Sequence, residues 1–383
     1  MNLGNEHMKI LYVIDMYDKE TNGMTVSGRT FMNELRARGH EVRFLCASDK
    51  PEEFKYCLPP WDLRIARNIM RKQGATFAGI DRKVIAEALD GVDIVHTFTP
   101  FKVSKVVYEM ATAKKIPVIA AFHIQPENIS YNFSPLRVIP KVNSLIYIWF
   151  RERYYKYVKD IHCPTQFIAN ELVTHKYKAQ MHIISNGVAE MFTPAKADKP
   201  AEWSDKFTIV CVGRLAPEKR QKVLMKAVSQ STYRDKIQLV FCGVGPRDQW
   251  LKKVAQKFKV NASFGFYTHS ELLKILRSAD LYVQPSKAEI ECISCIEAFS
   301  TGLVPIIADS NLSAAKHFAI DNRSLFKVDN HKELTKKIEY FIERPEEVNE
   351  LRKQYIEKSY DFALSKSVDK IEDVYNKLIQ QGV

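Results

Sequence analysis

Two carboxylates and two cations carry most of the chemistry legible in this chain. Glu289 and Glu297 stand eight positions apart in the run Ser286-Lys287-Ala288-Glu289-Ile290-Glu291-Cys292-Ile293-Ser294-Cys295-Ile296-Glu297. The residues before them, Leu281–Gln284, read as a strand, and those after Cys292 as a helix. The free N–H groups and positive dipole end at such a helix start attract a diphosphate. Glu289 then precedes the anion site and Glu297 lies a turn inside the helix, where a carboxylate can accept hydrogen bonds from the hydroxyls of a bound ligand. A plain strand–turn–helix with one dipole-facing Glu and one partly buried Glu explains the same segment. The second cluster is Val210-Cys211-Val212-Gly213-Arg214-Leu215-Ala216-Pro217-Glu218-Lys219-Arg220. It places Arg214 at a strand end and Lys219 at a helix entry. Without a metal, a departing diphosphate needs two such cations to stabilise its charge. Two exposed loop cations are the alternative.

The elements that must position these groups alternate in type. In the first half, Lys9–Ile14, Glu41–Cys46, Ile94–Thr97, Val118–Phe122, Asp160–Pro164 and His182–Ile184 read as strands. A helix-length segment follows each; Thr25–Arg38, for example, ends at Gly39, a helix stop signal. After a linker over Ala195–Asp205 the pattern restarts with Thr208–Val212, Gln238–Cys242, Ala262–Phe264, Leu281–Gln284 and Val304–Ile307. Strands alternating with helices imply parallel sheets covered on both faces. The expectation is an α/β chain of two Rossmann-like doubly wound domains, at 1–195 and 206–365. A final amphipathic helix over 366–383 (Val368, Ile371, Val374, Tyr375, Leu378) packs back on the first domain. At 383 residues the chain has length for two cores. Ligands of such sheets bind beyond the carboxyl ends of the strands.

Composition narrows the partners. The 57 Lys+Arg against 45 Asp+Glu give +12, which suits nucleic acid, anionic lipid or phosphorylated substrates. From Phe101 to Lys178 there are twelve basic against five acidic residues, interleaved with aromatics as in Tyr147–Lys159. Tyr56–Lys72 repeats the pattern, with Trp61, Leu63, Ile65, Ile69 and Met70 among Arg64, Arg67, Arg71 and Lys72. Both suit an anionic membrane surface better than a nucleic-acid groove, although partly buried amphipathic helices with solvated cationic faces would look alike. No apolar run reaches a membrane span or a signal peptide, so the expected location is the cytoplasm, peripheral to the inner face of the membrane. Seven scattered cysteines fit a reducing compartment, and the Cys292-x-x-Cys295 pair, lacking a second pair, reads as two buried helix residues. His123 ends an apolar strand before Gln125-Pro126, an extended turn; a structural histidine is the alternative.

The strand–Gly-Arg-x-x-x-Glu-Lys segment, followed about 70 residues later by Glu-x7-Glu and Gly302-x-x-Pro305, resembles family 4 of the retaining GT-B glycosyltransferases, also called glycosyl transferases group 1. Asn22-Gly23, Phe122-His123, Ile184–Val188, Phe241–Pro246 and Phe264–Leu272 resemble further family segments in the same order. The resemblance implies a diphosphate clamp of Arg214 and Lys219, with backbone amides near Ile293 and Gly23. It implies that Glu297 holds the ribose, Glu289 contacts the transferred sugar, His123 sits beside that sugar, and the backbone at Tyr267 reads the base. It further implies a hexosyltransferase with no metal and no cofactor, using a nucleotide-sugar donor, expected to be UDP-linked. Transfer would be by front-face attack, not by the paired-carboxylate route of glycosidases.

Some residues depart from the family. Asn22 and Met24 flank Gly23 where relatives often have Gly-Gly, Arg220 replaces a frequent Gly, and Asp309–Lys316 replaces a small-residue loop with Pro-Glu. That last loop leaves the donor sugar open. The segments His123–Tyr131 and Ser310–Ala319 resemble the lipid-glycosylating subgroup, so the expected acceptor is a membrane lipid or lipid-linked glycan, with no nucleic acid as partner. A GT-B sugar-nucleotide epimerase shares the fold but lacks reason for this arrangement of cations and carboxylates. A non-catalytic basic binding module explains only the charge.

Overall fold

The computed structural model describes residues 7–15, 23–61, 77–132, 139 and 141–382. Their contacts divide into two compact units. The first takes its residues from Met1–Pro126, Ile139–Gly187 and Leu364–Val383, the second from Glu127–Val138 and Val188–Ala363.

The first unit is a seven-stranded parallel sheet made of β1 (Lys9–Val13), β2 (Glu41–Ala47), β3 (Lys55–Leu58), β4 (Ile94–Thr97), β5 (Val118–Ala121), β6 (Asp160–Cys163) and β7 (Gln180–Ile183), in the order β3-β2-β1-β4-β5-β6-β7. Ile10 lies in register with Val42 on one side and Ile94 on the other. Alternation along β1 sends Ile10 and Tyr12 into one core and Leu11 and Val13 into another. Both faces are covered, so central strands read as unbroken apolar runs, as parallel sheets do. The helix Leu364–Gln381 closes one face. Its Val368, Ile371, Tyr375 and Leu378 are buried in the same core as Ile10 and Tyr12. Arg38 bonds Asp369 and Glu372, and His40 Nε2 lies 2.8 Å from Glu372. Gly187, with φ +70°, passes so near this helix that a Cβ would stand 2.7 Å from the Leu364 Cα.

The second unit is a six-stranded parallel sheet of β8 (Phe207–Val212), β9 (Ile237–Cys242), β10 (Asn261–Gly265), β11 (Leu281–Gln284), β13 (Pro305–Asp309) and β15 (Leu325–Lys327), ordered β10-β9-β8-β11-β13-β15. Beside it, β12 (Ala288–Glu289) pairs in parallel with β14 (Leu312–Ser313). The chain is thus α/β with two Rossmann-like parallel-sheet domains. The short β3 was not among the expected strands: Lys-Tyr-Cys-Leu carries no alternation to reveal it, and only pairing with β2 defines it. Among the described residues no helix is long and apolar enough to cross a membrane.

Candidate active site

In a doubly wound sheet the strand order reverses at one point, and the loops there diverge to leave a crevice. In the second unit that point lies between β8 and β11. The β8 loop carries Gly213, Arg214 and Lys219; the β11 loop carries Glu289 and leads into the helix Ile293–Ser300. The sheet therefore brings together groups separated by 70 positions in sequence. Lys219 Nζ donates to Glu289 Oε1 at 2.6 Å.

Glu289 is held from behind. Gln284 Nε2, at the end of β11, donates to the same Glu289 oxygen at 2.7 Å and to Ser286 Oγ at 2.7 Å. Pairing with Ser313 fixes the Glu289 backbone, and the Ser310 hydroxyl donates to the Lys287 carbonyl at 2.6 Å. The loop that departs from the family pattern is thus the strand on which Glu289 rests. Burial alone would push the Lys219 ammonium down, but the Glu289 carboxylate more than reverses this and holds it above the ordinary lysine value. Arg214 donates to Glu218 at 2.9 Å, and Glu218 is itself buried. Gln221 Nε2 donates to the Arg214 carbonyl at 3.0 Å, fixing the loop backbone.

Glycine geometry sets this loop. Gly213 and Gly243, at the ends of β8 and β9, have φ +141° and +146°, and a Cβ on Gly243 would stand 2.3 Å from the Gly213 carbonyl oxygen. Only glycine allows this approach.

The helix Ile293–Ser300 starts with Ile293 half-buried, and its N-cap Cys292 adopts a left-handed conformation without a side-chain cap. Its first amides therefore receive no side-chain cap from Cys292, and the Ser294 hydroxyl lies 3.5 Å from the Val212 carbonyl at the end of β8. Glu297, a turn further, has its carboxyl pushed up to about 7 by burial. Cys292 and Cys295 are buried free thiols, and among the described residues no group of His, Cys, Asp and Glu could hold a metal ion. Tyr267 follows β10, half-buried, just before the helix His269–Ser278, whose capping box joins Thr268 and Glu271. Burial pushes the Tyr267 hydroxyl up.

Gly23 and His123 belong to the first unit. Gly23 opens the helix Gly23–Ala37, while Asn22 lies outside the described residues. His123 follows β5, with its ring stacked on Phe98 at 5.4 Å and edge-on to His162 at 5.5 Å. Burial, with His162 adding to it, drives His123 down to about 3, so its imidazole is neutral. His96, also buried, bonds Tyr375 through Nδ1 at 2.6 Å and belongs to the setting of the C-terminal helix. Of the basic-aromatic stretches, 62–72 lies outside the described residues. Tyr147–Lys159 divides: Tyr147, Phe150, Tyr154 and Tyr155 are core, whereas Ile148, Trp149 and Tyr157 are exposed.

Sequence reasoning missed Gln284 and Ser313. A buried glutamine ending an apolar strand was the one available signal for the first. For the second there was none, since a two-residue strand has no periodicity.

Two Rossmann-like parallel-sheet units in one chain are the architecture of the GT-B glycosyltransferases. Residues 193–362 match the family model for glycosyl transferases group 1 and residues 21–190 that for Glycosyltransferase Family 4, and the chain belongs to this group of enzymes. It is 25% identical to an alpha-monoglucosyldiacylglycerol synthase of Streptococcus pneumoniae, over 79% of this chain and 71% of that protein. It is 23% identical to the enzyme of the same name from Acholeplasma laidlawii, over 98% of both chains. Among solved structures, sucrose-phosphate synthase from Thermosynechococcus elongatus superposes with a TM-score of 0.78 at 16% identity, covering 98% of this chain and 100% of that one. Anabaena HepE in complex with UDP-glucose gives 0.76 at 16% identity, covering 97% and 100%. At such identities these two likenesses carry the fold alone.

Proposed function

We propose that the protein transfers a hexose, with retention, from a nucleotide-sugar donor to a membrane lipid or lipid-linked glycan, without a metal ion. The observation that carries the reading is the Lys219–Glu289 pair, held by Gln284 at the β8/β11 switch point. Lys219 and Arg214 supply two positive charges where the leaving diphosphate gathers its own, and the amides at Ile293 extend that field. The donor base, read along the backbone at Tyr267, is taken as uracil from the family resemblance. The Glu297 carboxyl accepts from ribose hydroxyls.

Glu289 already accepts from two donors, which suits it to orient the sugar and stabilise its developing positive charge. In the proposed reaction the acceptor hydroxyl attacks the anomeric carbon on the face the diphosphate leaves, and a phosphate oxygen takes its proton. Neutral His123 hydrogen-bonds sugar or acceptor hydroxyls without adding charge, and Gly23 admits the diphosphate close to the helix Gly23–Ala37.

The lipid acceptor is supported by the names of the two synthases and by the first unit's surface. Leu145, Ile148 and Trp149 are 57%, 39% and 46% exposed, beside Arg151, Arg153 and Lys156. Such a patch gains about 1 kcal/mol per basic residue at an anionic membrane. The test is transfer from UDP-hexose to diacylglycerol in mixed vesicles, with the product anomer read by NMR. Inversion, or activity surviving in both Lys219→Ala and Glu289→Ala, refutes the mechanism; equal sedimentation with neutral and anionic vesicles refutes the membrane contact.

A further inference from the structure

The donor chemistry leaves one strongly basic hollow of the second unit unused. It is a cavity of about 250 Å³ with Arg220, Lys222, Lys226, Arg247, Trp250 and Asp329 in its wall. Four cations thus surround one carboxylate, and Asp329 is already engaged by Arg220 at 3.0 Å and Lys287 at 3.7 Å. Among the described residues neither Lys222 nor Lys226 has an ion-pair partner. The Trp250 ring lies 5.8 Å from the Lys222 ammonium and 4.8 Å from the Arg247 guanidinium, which holds both cations at the rim.

The backbone adds to this charge. The helices Gln221–Ser229 and Asp248–Phe258 both start at the cavity, and neither Arg220 nor Arg247 caps its helix with a side chain. His331, which begins a third helix, also lines the wall. Uncapped N–H groups, positive dipole ends and unpaired ammonium groups all ask for an anion of more than one charge. The space equals that of about eight waters. That admits a phosphate with a body of a few carbons and is too small for a sugar nucleotide.

We propose that this cavity is a second anion site, distinct from the Lys219–Glu289 site, that takes the phosphate of a small phosphate ester or of a phospholipid headgroup. Calorimetry with glycerol 3-phosphate and with short-chain phosphatidylglycerol kept below its micelle concentration, both at one fixed salt concentration, tests it without a membrane for the Leu145–Trp149 face to engage. Wild type, Lys222→Gln/Lys226→Gln and Lys219→Ala are compared, each checked by thermal melting. Saturable binding of at least one probe is expected, weakened about tenfold for each lysine removed and unchanged in Lys219→Ala. Binding of glycerol 3-phosphate alone assigns a soluble ester; binding of monomeric short-chain phosphatidylglycerol, with or without it, assigns a lipid headgroup. The proposal is overturned if neither probe binds, if binding survives in the double variant, or if it is lost in Lys219→Ala instead.

Discussion

Replacing Lys219 by alanine separates the structural from the catalytic part of the Lys219–Glu289 pair. The two side chains are 20% and 9% exposed, and their polar atoms are 2.6 Å apart. Removing one partner of a fully buried pair costs about 3–5 kcal/mol, because a charge is stranded. Here Gln284 still donates to Glu289, and the exposed fifth of Lys219 marks where water enters. The expected loss is therefore about 2–3 kcal/mol, or a melting point lower by roughly 5–10 °C for a unit of this size. Adding Glu289→Gln removes the stranded charge, so the double variant should recover most of that stability. Transfer behaves otherwise: losing a cation at the leaving group lowers kcat by about 10²–10³-fold, and the double variant should gain none of it back. Thermal melts and steady-state release of nucleoside diphosphate, run on the four proteins of the cycle, give both readouts. A Lys219→Ala protein that melts like wild type would show that the pair does not form. One that is restored to activity by Glu289→Gln would show that Lys219 serves only to neutralise Glu289.

The Glu297 carboxyl lies at about 7 in the folded protein against an ordinary 4.5. The folded state therefore keeps a proton that the unfolded chain releases, and this group's contribution to stability falls as pH rises from about 4.5 to 7; melts across that window should lose this slope in Glu297→Gln. His123, held near 3, should show no imidazole titration by NMR between pH 5 and 8, and a midpoint near 6.5 would contradict its burial. Gly243→Ala, forced against the Gly213 carbonyl at positive φ, should cost more than about 2 kcal/mol and displace Arg214; denaturant melts and donor affinity read the two effects.

The parallel sheets were legible because strands buried on both faces spell themselves out as apolar runs, as at Lys9–Ile14 and Thr208–Val212. The same alternation put Arg214 just past the end of a strand, Lys219 at a helix entry, Glu289 in the loop after a strand and Glu297 inside the helix that follows. What stayed hidden depends on contacts between distant residues. Nothing in the spacing says that Lys219 seats on Glu289, that Glu218 occupies Arg214, or that Gln284 backs the carboxylate. The Asp309–Lys316 loop reads as a lapse from the family pattern, yet its Ser313 is the pairing partner of Glu289. Whether Trp149 faced core or solvent also depended on packing, because Tyr147–Lys159 has aromatics on every side.

The helix Leu364–Gln381 sets a schedule for synthesis. It completes the core of the first unit, but the ribosome makes it only after the whole of Val188–Ala363. At roughly 5–20 residues per second, that interval is on the order of 10–30 s. Throughout it, the surface of Ile10, Tyr12 and Leu35 that Val368, Ile371 and Tyr375 will cover has no native partner. Until that helix arrives the nascent first unit carries an open apolar core, and a chain cut short before Leu364 would keep it open.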